Sequence, residues 1–522
     1  MAFAFYLWCI GVYLLATWSS FLLVSLSVDA ILEQATIRRR RIKLEELAGG
    51  NGLRDAYTVT LTRVKAQKGD KSVLGLKALM WALYSERPLR SQELCYALAV
   101  ETGFTNLDPE NVPTIRTLLS SCLGLLTIET SSSTVRLVHF TLKESLSSDP
   151  TLFHSPHTTI AEVCLTYLNF RSVRALSPAL ESGPSTIPLL EYASCYWGEH
   201  AKRGMTGNVK ILALRLLDRF DEHISAQILL LRNCQYTGWT SLLSQVAGGP
   251  KRFTGLHVLA FLGIAEILPA ALDMKKWNVN ERDCTGNSAI MWAVRRGHEE
   301  VVKVLLKQKG IYLNLGDSGY GRTLLIWAII GGRQKVVKIL LEQGDVDPNR
   351  ADTEYGRTPL SWAAESGHKE IVLVLLERED IKPDQADAEY GRTPLMWAII
   401  AEREGVVKIL LDREDINPNY AHPECGVTPL LLAAVSGHVG IVKSLVGRED
   451  VDPNLADTKY GQTPLSRAAA WGHGGVVRML LELENIRPNI VDMKYERSPL
   501  EWAARNGHEG IVKLLLERQD MS

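Results

Sequence analysis

A mainly α-helical fold follows from the sequence: a solenoid of repeated helix–turn–helix units over residues 251–522, preceded by a helical connector and a small domain of three helices and a β-hairpin. Periodicity is the first reason. The phrase "EYGRTPLSWAAESGHKEIVLVLLERED" at 354–380 recurs, and its threonine position falls at Ser288, Thr323, Thr358, Thr393, Thr428, Thr463 and Ser498, each 35 residues from the next. A period in the thirties means stacked supersecondary units. Size is the second reason, because 522 residues exceed what one hydrophobic core supports. Composition is the third: 46% hydrophobic and 22% charged residues describe a folded chain.

The elements run as follows. From Met1 to Val28 no side chain is charged, and Arg38–Arg41 with Lys43 follow. Such a run can span a bilayer as a helix, and the arginines behind it keep the remainder in the cytosol. A cleaved signal peptide fits less well, since there the positive charge comes first. The other reading of 1–28 is a buried core helix. Within 73–147, "LGLKALMWALYSERPLRSQELCYALAVE" gives a helix, a turn at Arg87-Pro88 and a second helix, and "NVPTIRTLLSSCLGLLTIE" gives a third. "TIETSSSTVRLVHFTL" then alternates as a β-hairpin with a serine-rich turn. Three helices and a hairpin make a winged helix. Residues 148–250 form an apolar helical connector without recognisable chemistry.

One repeat can be read from its residues. Thr358 caps the free N–H groups of a helix that opens on Pro359. Leu360, Ala363 and Ala364 give a short apolar face, and Gly367 breaks the helix. Ile371, Val374, Leu375 and Leu376 mark a second helix, which Pro383 is expected to stop, as are Pro348, Pro418, Pro453 and Pro488 in other copies. A polar loop ending in Tyr-Gly leads onward. A poorer copy, "TGLHVLAFLGIAEILPAAL", begins at Thr254.

The pattern T-P-L-x-x-A-A-x-x-G-H with an aliphatic helix behind it resembles the ankyrin repeat, in about eight copies over 254–522. The period departs from the usual 33 through one extra residue beside each proline and one in each projecting loop. The histidine that commonly follows T-P-L is replaced by Ser361, Met396, Leu431 and Ser466. Upstream, "RPLRSQELCYALAVE", "SCLGLLTIE" and "VRLVHFTLKE" resemble the winged-helix segment behind the nucleotide-binding domain of fungal NACHT–ankyrin receptors. The stretch "FLLVSLSVDAILEQATIRRRRIKLEELAGGNGLRDAY" is similar to the end of such a NACHT region, which makes 29–72 its helical remnant.

The resemblance implies nucleotide hydrolysis, yet the residues speak against it. The nearest string to a P-loop, "KGDKS" at 68–72, lacks the first glycine and the Gly-Lys pair and reads as a helix connection. The second helix of the winged domain, Ser91–Glu101, carries Glu93 and Glu101 and no Lys or Arg, a poor surface for DNA. With 58 basic against 59 acidic residues there is no net field for nucleic acid either. Eight cysteines at least 27 residues apart form no C-x-x-C pair and suit a reducing, cytoplasmic compartment. No enzyme activity, metal or cofactor is expected.

Trp292, Trp327, Trp362, Trp397 and Trp502 share one repeat position and read as packing between first helices. His298, His368, His438, His473 and His508 follow the turn glycine; recurrence argues for turn hydrogen bonds rather than catalysis. Function should then lie where copies differ, in a groove that binds another protein. The candidates are Arg295, Arg296, Ile330, Glu365, Ile400, Val435, Trp471 and Arg505 ahead of the turns, with Tyr320, Tyr355, Tyr390, Tyr460 and Tyr495 at the loop tips. Ile511, Leu514 and Leu515 read as uncovered, which predicts fraying or self-association there.

Overall fold

A computed structural model of the chain describes residues 36–39, 42, 52–176, 187–237 and 252–519. The chain divides into two units, Met1–Val258 with Asp283–Thr285, and Leu259–Arg282 with Gly286–Ser522. The expected membrane segment 1–28 lies outside the described residues. Among the described residues no helix is long and apolar enough to cross a membrane.

The first unit begins with α1 (Gly52–Lys65) and α2 (Lys71–Tyr84), and "KGDKS" does connect two helices. Helices α3 (Ser91–Ala99) and α4 (Ile115–Ser121) follow. Gly75 lets α2 approach α4 closely, because a Cβ there would sit 2.5 Å from the Ser121 carbonyl oxygen. Strands β1 (Leu126–Glu129) and β2 (Thr134–Leu137) pair antiparallel, Leu126 against Leu137 and Glu129 against Thr134. Ser132 in the turn donates to Glu129 at 2.5 Å. The extended residues before α3 run beside β2, where the Val135 amide donates to the Leu89 carbonyl at 2.8 Å. Glu93 is 2% exposed, forks onto Arg87 at 2.7 Å and caps the Arg90 amide at 2.7 Å. It is therefore a structural carboxylate.

Helix α5 (Phe140–Ser147) leads to α6 (Pro156–Leu168), α7 (Arg171–Arg174), α8 (Leu190–Arg203), α9 (Gly207–Leu217) and α10 (Ile224–Thr237). Trp81, Tyr192 and Trp197 are fully buried here, with the Trp81 and Tyr192 rings edge to face at 5.8 Å. Helix α11 (Gly255–Leu262) and α12 (Leu268–Met274) come next.

Seven helix pairs in one register complete the second unit. They are α13 (Ala289–Arg296) with α14 (Glu299–Leu306), α15 (Leu324–Ile330) with α16 (Gln334–Leu341), and α17 (Pro359–Ser366) with α18 (Lys369–Leu376). Next are α19 (Pro394–Ile400) with α20 (Glu404–Leu411), and α21 (Pro429–Ser436) with α22 (Val439–Val446). The last are α23 (Pro464–Trp471) with α24 (Gly474–Leu481), and α25 (Pro499–Arg505) with α26 (Glu509–Gln519).

The expected caps form: Thr358 accepts the Ser361 amide at 3.2 Å, and Thr323, Thr393, Thr428, Thr463 and Ser498 do likewise in their copies. Three expectations need correction. The second helices end at Leu341, Leu376, Leu411, Val446 and Leu481, well ahead of the prolines, so the prolines do not stop them. In α18 the buried set is Ile371, Val372, Leu375 and Leu376, with Val372 in the place expected for Val374. Ile511 (4% exposed) and Leu515 (1%) are covered rather than bare, and Leu514 is half-buried.

Candidate interaction surface of the repeats

Between copies, three hydrogen-bond ladders fix the register of the stack. Asn349 donates to the Asp380 carbonyl at 2.7 Å and accepts from the Lys382 amide at 2.8 Å, tying one loop to the next. Asn314, Asn419 and Asn454 repeat this. Arg378 donates to the Leu341 carbonyl at 2.9 Å, capping the preceding second helix, and forks onto Asp380 at 2.8 and 2.7 Å. That fork holds the Asp380 carboxyl below its usual range. The third ladder uses the turn histidines. His298, His473 and His508 reach carbonyls of the preceding copy, at Phe261 (3.2 Å), Val435 (2.9 Å) and Ala470 (3.2 Å). These histidines thus join neighbours instead of closing their own turns.

The tryptophans are more than spacers. In four copies the indole Nε1 donates to a loop aspartate ten residues earlier: Trp327 to Asp317 (2.8 Å), Trp362 to Asp352 (2.8 Å), Trp397 to Asp387 (2.9 Å) and Trp502 to Asp492 (2.7 Å). The other carboxylate oxygen folds the projecting loop by accepting amides such as those of Tyr355 (2.8 Å) and Gly356 (3.1 Å). Where the tryptophan becomes Arg467, the guanidinium still reaches Asp457 at 3.3 Å. Leu432, which has no donor, stands in the copy where His422 replaces the aspartate.

Arginines fill the gaps between the indoles. Arg357 lies 4.0 Å from the Trp362 ring centre and 3.8 Å from that of Trp397, and Arg322 lies 5.4 and 4.8 Å from Trp327 and Trp362. Planar guanidiniums suit this cation–π stacking. Sequence reading missed these arginines, though a signal exists: Asp at minus six, Arg at minus one and Trp at plus four from the threonine recur together.

The predicted site residues separate into two sets. Arg295 lies 3.9 Å over Trp327 and donates to Asn287 at 3.0 Å; Arg296 lies 3.7 Å over Phe261. Glu365 holds Arg357 at 2.7 Å. At the loop tips Tyr355 stacks on Tyr390 with centres 6.2 Å apart, Tyr320 and Tyr460 lie under Arg322 (4.4 Å) and Arg467 (5.3 Å), and Tyr495 meets the edge of Trp502 at 5.5 Å. These side chains make contacts within the stack, and Tyr320 (46%), Tyr495 (44%) and Tyr390 (36%) also keep exposed ring surface. Ile330 and Val435 are half-buried, whereas Ile400 (36%), Arg505 and Trp471 (60%) stand open. Among the described residues no group of three or more His, Cys, Asp or Glu could hold a metal ion.

Helix pairs bound loop to loop, with variable residues at the ends of the first helices, define an interaction solenoid. The family model for ankyrin repeats (3 copies) matches overlapping stretches 224–317, 256–352, 312–387, 345–421, 381–457 and 430–522, more than half of the sequence. The chain belongs to the ankyrin-repeat family. Similar solved structures include the ankyrin repeat domain of Bcl-3, a member of the IkappaB family (22% identity, TM-score 0.40, 44% of this chain and 99% of that one). Another is the human ASB11 ankyrin repeat domain (25% identity, TM-score 0.37, 44% and 98%). No curated protein matches in sequence.

Proposed function

We propose that this chain is a non-catalytic scaffold or sensing arm whose partner protein lies along the first-helix ends of the repeats. Trp471 carries the reading: an indole 60% exposed at the end of α23 is a large apolar group left without cover, and tryptophan is a frequent binding anchor. Ile400, with half-buried Ile330 and Val435, extends the same apolar line, and Arg505 ends it with charge. Proteins captured on the full chain should therefore include one that is lost on Trp471→Ala and Ile400→Glu while the melting temperature holds. Identical capture by wild type and both variants would defeat this reading.

The receptor-like part of the proposal rests on the first unit. Helices α2 to α4, the hairpin and the extended residues beside β2 support reading it as a winged helix like that of NACHT–ankyrin receptors, here without a P-loop sequence. ATP should give no binding signal with the purified chain; saturable binding would argue for a nucleotide-driven switch. The uncharged run Met1–Val28 ahead of Arg38–Arg41 favours a second reading, a membrane-tethered adaptor with cytosolic repeats. Carbonate-resistant membrane association of the full chain, lost when it starts at Asp29, would support the tether.

A further inference from the structure

The first unit contains a cavity of about 520 Å³ lined by Phe104, Thr166, Asn169, Arg171, Arg174 and Arg215, among others. Its size falls within the range of small-ligand pockets. All three arginines line it from exposed positions on α7 and α9, and among the described residues no carboxylate lines it. Like charges that line one cavity repel one another, an arrangement that a bound anion relieves.

The floor supplies an independent observation. Thr166 is 3% exposed, and its hydroxyl has no hydrogen-bond partner; neither has the buried Oδ1 of Asn169. The Asn169 amide nitrogen donates to the Leu165 and Leu212 carbonyls at 2.8 and 3.0 Å, which fixes the orientation of its oxygen as a free acceptor. Buried polar groups are normally satisfied. An acceptor beside three cations suits a ligand that carries hydroxyl donors as well as negative charge. A bare anion would repel that oxygen.

We propose that this cavity binds a small hydroxylated phosphate ester. Arg171, Arg174 and Arg215 hold the phosphoryl oxygens through charge-assisted bonds. Asn169 accepts from a ligand hydroxyl, the Thr166 hydroxyl pairs with another, and exposed Phe104 offers an apolar wall to the carbon skeleton. The site is separate from the repeats and leaves their proposed partner binding untouched.

Titration calorimetry on the full chain, with glucose 6-phosphate, inorganic phosphate and glucose as probes, tests this. Glucose 6-phosphate should bind best, inorganic phosphate more weakly and glucose not at all. Arg174→Gln and Arg215→Gln should each weaken the ester roughly tenfold or more. Thr166→Val should also weaken it while leaving the melting temperature equal or higher, since the hydroxyl it removes has no partner to lose. Absence of binding by the ester, or equal binding by the arginine variants, overturns the site. Equal affinity for inorganic phosphate and the ester overturns the role given to the hydroxyls.

Discussion

Trp362 donates its indole N–H to Asp352 at 2.8 Å, so a first helix and the loop that precedes it share one buried carboxylate. Asp352 is 3% exposed and accepts the loop amides of Tyr355 and Gly356 with its other oxygen. Trp362→Phe keeps most of the ring's packing and strands that oxygen, which costs about 1–3 kcal/mol in a buried site. Asp352→Asn with Trp362→Phe should cost less than the sum of the two single changes, because the surviving partner no longer carries an unmatched charge. Urea unfolding of the four variants measures the coupling; strict additivity would show that the bond contributes nothing.

A second prediction concerns the asparagine ladder. Asp384 stands where other copies have Asn314, Asn349, Asn419 and Asn454. It accepts the Asn417 amide at 2.7 Å, but its buried Oδ1 has no partner. Burial raises its pKa, and the Asn417 amide only partly offsets this. The sign follows: a carboxyl whose folded pKa is raised destabilises the fold above its folded pKa and ceases to do so as pH falls below the unfolded value. Asp384→Asn restores the missing donor and should stabilise the repeats by about 1–2 kcal/mol at pH 7. The gain should shrink toward pH 4, and a gain independent of pH would mean that the charge is not its cause.

How far the sequence carries can be judged from the same residues. The threonine register, the capping hydroxyls and the turn glycines are local signals, and each repeats every 35 residues. Chemistry between copies is harder to see, because it joins positions about one period apart. The histidine bond, read as closing a turn, crosses to the preceding copy; the Trp362 N–H bond lies within one copy, and reading the indole as packing captured its ring but not that donor. Arg357, which the reading of the sequence passed over, is 4% exposed between two indoles. The arginine cavity of the first unit has no periodic signature. Its residues come from α6, α7, α9 and the loop holding Phe104, and only the fold assembles them.

Turn geometry gives a third prediction. Six copies place glycine at the left-handed turn position, whereas the remaining one has Glu402 at φ 60°. A side chain there costs roughly 1 kcal/mol relative to glycine. Its contact with His438 at 3.2 Å, an ion pair only when that ring is protonated, is solvent-exposed on the glutamate side and returns little. Glu402→Gly should raise the denaturation midpoint of the repeats modestly. Gly437→Ala should do the reverse and more strongly, since its Cβ would lie 2.5 Å from His473 Nδ1 and φ is 77°. If both changes shift the midpoint alike, backbone strain does not govern these turns.

The first unit should be the acid-sensitive part of the molecule. His200 is fully buried, its Nδ1 2.9 Å from His157 Nδ1 and its Nε2 2.9 Å from the Tyr192 hydroxyl. Burial, with His157 and Arg203 nearby, pushes its pKa down to about 3. His223, 5% exposed, is likewise pushed down to about 4 by burial, opposed by its bond to the Leu168 carbonyl. Both rings stay neutral in the folded protein while the unfolded chain takes up protons near pH 6.5. Stability is therefore complete above that value and falls as pH drops toward 4, by roughly 1 kcal/mol per pH unit for each ring. His157 beside it is lowered too, by burial and by Arg203, so His200→Gln removes one titration of three and should flatten the slope between pH 6 and pH 4.5, even if it lowers stability at pH 7. Calorimetric melts of the full chain across that range check this, and parallel slopes for wild type and variant would rule out His200 as a source of the acid sensitivity.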